Sequence, residues 1–239
     1  MTNQEFSNEF DILLNQRFNG LSFEQIDEYE KSVYLTKAQE QIVKEYAKIF
    51  EQSEKARRAL ANIVRNYSAS YDNTFNTAQA NIKIDDISKL FQLPQEVKYI
   101  VSEQVVTSDN IRHRVKPITH DEWEVLKANP FRKPKYTKVW DRALRLDLSY
   151  TDNGVQLIEI LYPQDITLYN FRYVREPVPI ILDDVFITGY SDPYLKSIRG
   201  ISQTSECELD SFIHEEILNL AVNLAANTLG LTKQTDNKK

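Results

Sequence analysis

Glycine and cysteine are scarce in this chain, and their scarcity excludes several kinds of site. Its 239 residues include five glycines and one cysteine. Phosphate-binding loops need glycine where the backbone approaches the phosphate, and neither G-x-G-x-x-G nor G-x-x-x-x-G-K occurs. A single thiol, Cys207, excludes an intrachain disulfide and a cysteine-rich zinc site. We expect Cys207 to be a small buried hydrophobe that precedes a helix.

Long apolar runs are absent as well. No stretch of the sequence approaches the roughly 18 residues required to cross a membrane. The first six residues, Met1-Thr-Asn-Gln-Glu-Phe6, lack the features of a signal peptide. We therefore expect a protein that makes no membrane contact and is made and kept in a reducing, cytosol-like compartment.

No group of residues forms a recognisable catalytic or metal-binding motif. The three histidines, His113, His120 and His214, do not have the spacing of metal ligands, and no H-E-x-x-H helix or G-x-S-x-G elbow occurs. Asp183 and Asp184 are adjacent, so in a strand their carboxylates would point to opposite faces. We expect no catalytic, cofactor or metal site, and we interpret His214 as a surface or subunit-contact residue.

Tyrosine, by contrast, is abundant. The chain has 13 tyrosines, and its hydrophobic content of 41% is enough for a substantial core. Tyrosine provides a large amphipathic contact area at low entropic cost, and it is enriched at protein interfaces. This composition is more typical of a packing and contact protein than of an enzyme.

Positive charge is concentrated in one segment, although the whole chain has a net charge of −6. Between Ile111 and Arg145 ten basic residues stand against four acidic ones, so this segment carries +6 and the remainder −12. A nucleic-acid-facing surface, a basic face that meets an acidic face of the next subunit, and a solvated loop all agree with this pattern. We hypothesise that a loop held open by Pro130 and Pro134 presents four side chains to an acidic partner: Arg132, Lys133, Lys135 and Lys138.

The first third of the chain has a helical pattern. Apolar residues between Phe6 and Leu14 recur at helical spacing, and Gly20 ends this first helix. The capping-box sequence Ser22-Phe-Glu-Gln25 predicts the start of a second helix over residues 23–34.

Another capping-box sequence, Thr36-Lys-Ala-Gln39, predicts the start of the longest helix. Apolar residues recur every three or four positions after it, so Ala38–Tyr67 is predicted to be one continuous helix roughly 45 Å long. This length exceeds the ~35 Å diameter expected of a compact domain of this size, which predicts contacts outside its own subunit. We expect Tyr46 and Phe50 to be among those contacts.

The central and C-terminal parts have strand patterns. Residues 97–107 and 111–116 alternate around a turn, and Thr119-His-Asp-Glu122 is a third capping box. Asp152-Asn-Gly154 is a strong hairpin signal, because a type I′ turn needs positive φ at its central residues. The strands predicted around it form an antiparallel meander: 142–150, 155–162, 166–175 and 178–182.

The last two predicted elements are an aromatic strand and a closing helix. Tyr169, Phe171 and Tyr173 share one strand face, and we interpret them as a core row rather than a single-stranded nucleic-acid platform. Ala221 and Ala225 would let the closing helix approach a second surface closely, so we expect them at a subunit contact. The apolar stripe of this helix is predicted to pack on the aromatic row: Ile213, Ile217, Leu220 and Leu224.

Together these patterns predict an α+β fold. Its parts are an N-terminal long-helix bundle or arm, an antiparallel β-meander and a C-terminal closing helix. We divide the chain into a helical region (1–70), a polar linker with a short helix (71–94), an α+β body (95–230) and a frayed tail (231–239).

Two segments near the C-terminus resemble a known family. Tyr169-Asn-Phe-Arg-Tyr-Val-Arg-Glu-Pro177 is a strand that exits through proline, and Cys207-Glu-Leu209 leads into a helix that begins His214-Glu-Glu-Ile217. This order is similar to that of head–tail connector proteins of tailed bacteriophages. It is most like the neck ring proteins of the crAss-like phages that infect gut Bacteroidales.

The resemblance implies a structural role without catalysis. Proteins of this kind form rings, usually twelvefold, that are stacked beneath the portal, extend the DNA channel and dock the tail. We therefore expect a dodecameric homo-oligomer in the virion neck, made in the host cytoplasm and bound to the portal protein and to neighbouring neck or tail rings. Genomic DNA would pass through it without sequence-specific binding. The alternatives are a nucleic-acid-binding module that uses residues 112–145 and an enzyme of unrecognised type.

Overall fold

The fold is α+β, as the sequence predicts. The computed structural model describes residues 1–17, 26–85, 87–129, 142–150, 154–183 and 197–229. Its helices are α1 (Asn3–Arg17), α2 (Glu28–Lys48), α3 (Glu54–Ala59), α4 (Asn73–Ala78), α5 (His120–Ala128) and α6 (His214–Thr228). Its strands are β1 (Val64–Ser70), β2 (Ser88–Gln92), β3 (Val97–Thr107), β4 (Arg112–Pro117), β5 (Arg142–Tyr150), β6 (Gln156–Leu161) and β7 (Ile166–Arg175).

The chain forms two compact units. The helical unit combines residues 1–63 with residues 177–239, and the sheet unit is the continuous stretch 64–176 between them. These units are defined by contacts within the folded chain, whereas domain boundaries concern parts that fold independently. The boundaries at residues 70, 94 and 230 therefore stay a prediction.

In the helical unit, α6 packs against both α2 and α1. The prediction that α6 packs on the aromatic row of the sheet is therefore wrong. Its buried positions occur in adjacent pairs on successive turns, and Leu220 and Leu224 are only half-buried. The buried residues are Ile213, His214, Ile217, Leu218, Ala221, Val222, Ala225 and Ala226.

The long helix α2 is shorter than predicted and begins earlier. It starts after Asp27, whose carboxylate accepts a hydrogen bond from the Tyr29 amide, and it continues without interruption through Thr36. Because the residues before Thr36 are already helical, its hydroxyl bonds instead to the backbone of Ile180. The Ser22 capping box lies outside the described residues.

The prediction of one continuous helix over Ala38–Tyr67 is wrong for two physical reasons. Ser53 caps a new helix, α3, by accepting a hydrogen bond from the Ala56 amide. Beyond α3, the stretch Val64–Ser70 pairs along its whole length with β7 as strand β1. Local helical periodicity does not compete with that ladder of backbone hydrogen bonds.

The sheet has the strand order β1-β7-β3-β4-β5-β6-β2. Neighbouring strands are antiparallel except for β4 and β5, which are parallel. The antiparallel pair β5–β6 agrees with the predicted hairpin, and of the turn residues only Gly154, with φ 72°, is described. The predicted meander fails after β6, because β7 pairs with β1 and with the eleven-residue β3 instead. Residues 178–182 belong to the helical unit.

The sheet curls around one aromatic core, and a helix covers its other face. Tyr169, Phe171 and Tyr173 are buried on the inner face, which confirms the core-facing row. On the outer face Trp123 of α5 is fully buried against β5 and β6. The predicted capping box of α5 is present, with Thr119 and Glu122 bonded reciprocally to each other's backbone amides.

Candidate assembly surfaces

Of the eight predicted contact residues, four lie outside the part of the chain that the structure describes and four are buried. Arg132, Lys133, Lys135 and Lys138 lie outside the described residues. The other four are buried by their own chain: Tyr46, Phe50, Ala221 and Ala225. Contacts of these eight residues with another subunit stay a prediction.

Strand β4 presents a row of basic side chains on the outer face of the sheet. Arg112, Arg114 and Lys116 alternate along it and are exposed. Between them, His113 is buried and the hydroxyl of Tyr162 lies 3.0 Å from its Nδ1 atom. Side chains alternate between the two faces of a strand, so burying His113 places its neighbours outside.

The parallel pairing of β4 with β5 adds a fourth cation. Arg142 is the register partner of Arg114 and is also exposed. We call Arg112, Arg114, Lys116 and Arg142 the basic row; no ion pair joins its members to any carboxylate of the described residues. Ile111, which is 51% exposed, immediately precedes it. Like charges directly opposite each other destabilise a sheet, so the row gains from an anionic partner.

The helical unit presents the opposite charge. Helix α6 runs between two grooves, one of about 530 Å³ beside α2 and one of about 290 Å³ beside α1. Glu215 lines both grooves, Glu45 lines the larger and Glu9 the smaller, and no lysine or arginine is among their described lining residues. We call Glu9, Glu45 and Glu215 the acidic surface.

Apolar side chains lie among these carboxylates. Ile12 in the smaller groove is 55% exposed, and Phe212 in the larger groove is 37% exposed. Glu216 also lines the larger groove, but it accepts hydrogen bonds of 2.8 Å from Lys55 Nζ and from the Tyr46 hydroxyl. Burial alone would raise the pKa of Glu216; those two bonds outweigh it and lower the pKa, so this carboxylate already has its counter-charge.

The net charges of the two units agree with these surfaces. By sequence, the helical unit has 13 Lys/Arg and 20 Asp/Glu, a net charge of −7. The sheet unit has 16 Lys/Arg and 15 Asp/Glu, a net charge of +1. The acidity of the protein therefore belongs to the helical unit.

Two buried cations are paired within their own units. Lys31 Nζ bonds to Asp11, Glu28 and Ser7 at 2.7, 2.9 and 3.1 Å, which ties α1 to α2. Burial acts to lower the pKa of Lys31, but the bonds to the two carboxylates outweigh it and raise the pKa.

The second is Arg145 on the inner face of the sheet. Its Nη1 atom lies 2.9 Å from the Glu103 carboxylate, which also accepts a bond of 2.7 Å from the Tyr169 hydroxyl. Arg145 also forms an ion pair with Asp147 at 3.0 Å. Arg145, one of the ten cations of the 111–145 segment, is therefore a structural residue.

His214 is a buried structural residue, so its interpretation as a surface residue is wrong, and its contact with another subunit stays a prediction. Its Nε2 lies 3.1 Å from the Leu209 carbonyl oxygen, which can only accept, so Nε2 carries the proton. Nδ1 is then the acceptor for the Met1 amino group at 2.8 Å. Burial lowers the pKa of His214.

Cys207 is half-buried rather than buried, and burial raises the pKa of its thiol to about 11.

Two features are absent from the described residues. No group of three or more His, Cys, Asp or Glu side chains in that part of the chain could hold a metal ion. Over the same residues, no helix is long and apolar enough to cross a membrane.

The sheet unit presents a basic row and the helical unit an acidic surface, and complementary charge of this kind is typical of surfaces through which proteins assemble. The whole sequence, residues 1–239, matches the family described as phage tail ring protein 3/4. It is 37% identical to "Ring protein 3" of Bacteroides phage crAss001 over 254 aligned residues that cover all of both chains. It is 34% identical to "Ring protein 4/5" of the same phage, over 94% of this chain and 92% of the relative. The chain belongs to the phage tail ring protein 3/4 family and is a structural ring subunit of a crAss-like phage, which confirms the resemblance seen in the sequence.

Proposed function

We propose that this protein forms a ring in the phage neck that connects the portal to the tail and extends the DNA channel. The observation that carries the proposal is the family match over residues 1–239, together with relatives called ring proteins that align over nearly their whole length. A match of this extent includes both the helical unit and the sheet unit, so both units and not one of them are shared.

The ring is a dodecamer of one chain, bound to the portal protein and to neighbouring neck or tail rings in the virion. Its subunits are made in the host cytoplasm and have no catalytic role. Genomic DNA passes through the ring without sequence-specific contacts. A closed ring of identical subunits needs two different, complementary surfaces on each subunit, because every contact joins one face to another. The basic row and the acidic surface supply two faces of opposite charge.

Purified protein examined by native mass spectrometry and negative-stain microscopy tests the oligomer. We expect rings of about 335 kDa, twelve times the subunit mass of 27.9 kDa. Because neighbouring rings could be needed to nucleate assembly, the same measurement is repeated with purified portal and adjacent ring proteins. A protein that stays monomeric in every mixture would contradict the ring.

The position in the virion is tested separately. Cryo-electron microscopy of whole particles should show twelve copies between the portal and the tail, around a channel that contains DNA density. Density for this chain at the distal end of the tail, away from the portal, would contradict the neck position while leaving the ring itself intact.

A further inference from the structure

We propose that the ring is closed by the basic row of one subunit docking against the acidic surface of the next copy of the same chain. This inference rests on the proposed ring and names the surfaces that join its subunits. The occupant of the basic row is thus a second copy of this protein, and its contact elements are α1, α2 and α6.

The strands hold the four side chains of the basic row at fixed positions on one face of the sheet. Three of its members are fixed at alternate positions of one strand, and register pairing fixes Arg142 beside Arg114. Adjacent strands lie about 4.8 Å apart, so these two guanidinium groups start from neighbouring backbone positions on one face. Neither is neutralised by an ion pair within the described residues.

The acidic surface complements this row in charge. Its three glutamates come from three helices, and the two grooves between those helices are recesses into which long arginine and lysine side chains can extend. Ile111, exposed at the end of the basic row, provides an apolar side chain for the groove that contains Ile12 or Phe212. Interfaces of this kind combine an apolar centre with a charged rim that fixes the register.

A second copy is favoured over nucleic acid by the charge of the whole chain. DNA binding that is not sequence-specific depends on a net excess of cations facing the phosphates. The sheet unit, which contains the row, has a net charge of only +1, so it offers little net excess of cations to a DNA molecule. The carboxylates of another subunit relieve the repulsion within the row and simultaneously neutralise the acidic surface.

Charge reversal in the full-length protein tests the contact. The variant R114E/R142E should raise the concentration for half-assembly at least about tenfold, because like charges juxtaposed at an interface cost several powers of ten in affinity. The matched control is R57E/K127E, which makes the same change in net charge at exposed residues of α3 and α5, outside both proposed surfaces. It should assemble like the wild type, and circular dichroism should show that both variants are folded.

Reversal of the acidic surface provides the decisive measurement. E45R/E215R alone should fail to assemble, whereas the combined variant R114E/R142E/E45R/E215R carries both surfaces with exchanged signs and should recover rings. Mixing the two double variants should also recover rings with alternating subunits, since each interface then joins opposite charges. Such recovery cannot result from repaired folding, because no single chain has changed in the mixture.

Rings of R114E/R142E that form at the wild-type concentration would overturn the inference and leave the proposed function in place. If these rings also bind a DNA duplex at least tenfold more weakly than wild-type rings do, the row is assigned to nucleic acid. Absence of both rescues would likewise refute the pairing of these two surfaces. A wild-type protein that forms no ring with any neighbour would overturn the proposed function and this inference together.

Discussion

Asn76 of α4 bonds to both backbone groups of Leu90 on the edge strand β2. Its Nδ2 atom donates to the Leu90 carbonyl oxygen at 3.0 Å, and the Leu90 amide donates to its Oδ1 atom at 2.8 Å. The Asn76 side chain thus takes the place that another strand would occupy. Because an open strand edge is a template for aggregation, this amide protects one end of the sheet.

We predict that Asn76→Ala destabilises the protein by about 1–3 kcal/mol, since it leaves the buried Leu90 amide and carbonyl without partners. Urea unfolding measures the loss. Asn73→Ala, on the exposed side of the same helix, should change stability by less than about 0.5 kcal/mol. Equal losses in the two variants would mean that helix propensity, and not the bond to β2, is responsible.

The burial of α6 predicts a contrast between two leucines. Leu218→Ala should cost about 2–5 kcal/mol, because this side chain is fully buried within the helical unit. Leu220→Ala, at a half-buried position two residues later, should cost less than half as much. Thermal unfolding of the two variants checks the contrast, and a larger loss for Leu220 would restore the stripe predicted from periodicity.

His214 makes stability depend on pH. Burial lowers the pKa of its imidazole and outweighs the hydrogen bond to the Leu209 carbonyl oxygen, which raises it; the positive amino group of Met1 also lowers this pKa, and Asp210 raises it. In the unfolded chain the His214 imidazole therefore becomes protonated near pH 6.5, whereas in the folded chain it stays neutral to a lower pH. The stability present above about pH 6.5 falls as the pH drops below that value. His214→Gln removes two hydrogen bonds at neutral pH, and we expect a loss of about 1–3 kcal/mol there.

The same variant provides the check on pH. Since Gln does not titrate, the stability difference between wild type and His214→Gln should shrink as the pH is lowered from about 7.5 to about 5. Urea unfolding at several pH values measures both curves. A difference that stays constant over this range would show that His214 does not titrate between folded and unfolded states.

Arg145 is predicted to be essential for the stability of the sheet unit. Arg145→Ala should cost about 3–5 kcal/mol, because it leaves the Glu103 carboxylate buried without its partner. Arg142→Ala, three positions earlier on the same strand but exposed, is the control and should stay within about 0.5 kcal/mol.

The loss in Arg145→Ala should also depend on pH. Burial already raises the pKa of Glu103 in the wild type against the lowering effect of Arg145. Without the arginine, the folded state favours protonated Glu103 still more. Stability should therefore decrease as the pH rises above 4.5, the ordinary pKa of this carboxyl group. Adding Glu103→Gln should remove this slope, and a slope that persists would identify a different carboxylate.

Local sequence patterns predicted the elements of the sheet better than their arrangement. The ends of β3 and β7 agree with the predicted residues, because alternation and flanking turns define a strand locally. Alternation shows which face is buried but not which strand lies alongside. The placement of β7 between β1 and β3, and the parallel pair β4–β5, therefore could not be predicted from it.

The helices show a similar limit. Helix α6 is apolar around most of its circumference, with leucines at 218, 220 and 224, so periodicity could not select the buried face. The basic row was within reach of sequence analysis, since Arg112-x-Arg114-x-Lys116 alternates inside a predicted strand. The acidic surface was not, because its glutamates lie on three helices that are far apart in the chain.

The sheet unit is inserted within the sequence of the helical unit, and this order has a consequence during translation. A ribosome releases all seven strands before it has made α6, so the sheet unit has its complete sequence while α1 and α2 still lack the helix that fills their core. Glu215 and both grooves also depend on α6. Under the proposed pairing of the basic row with the acidic surface, a nascent chain exposes its basic row before its acidic surface is complete, and chains on one polysome cannot join through these surfaces until synthesis has passed residue 228.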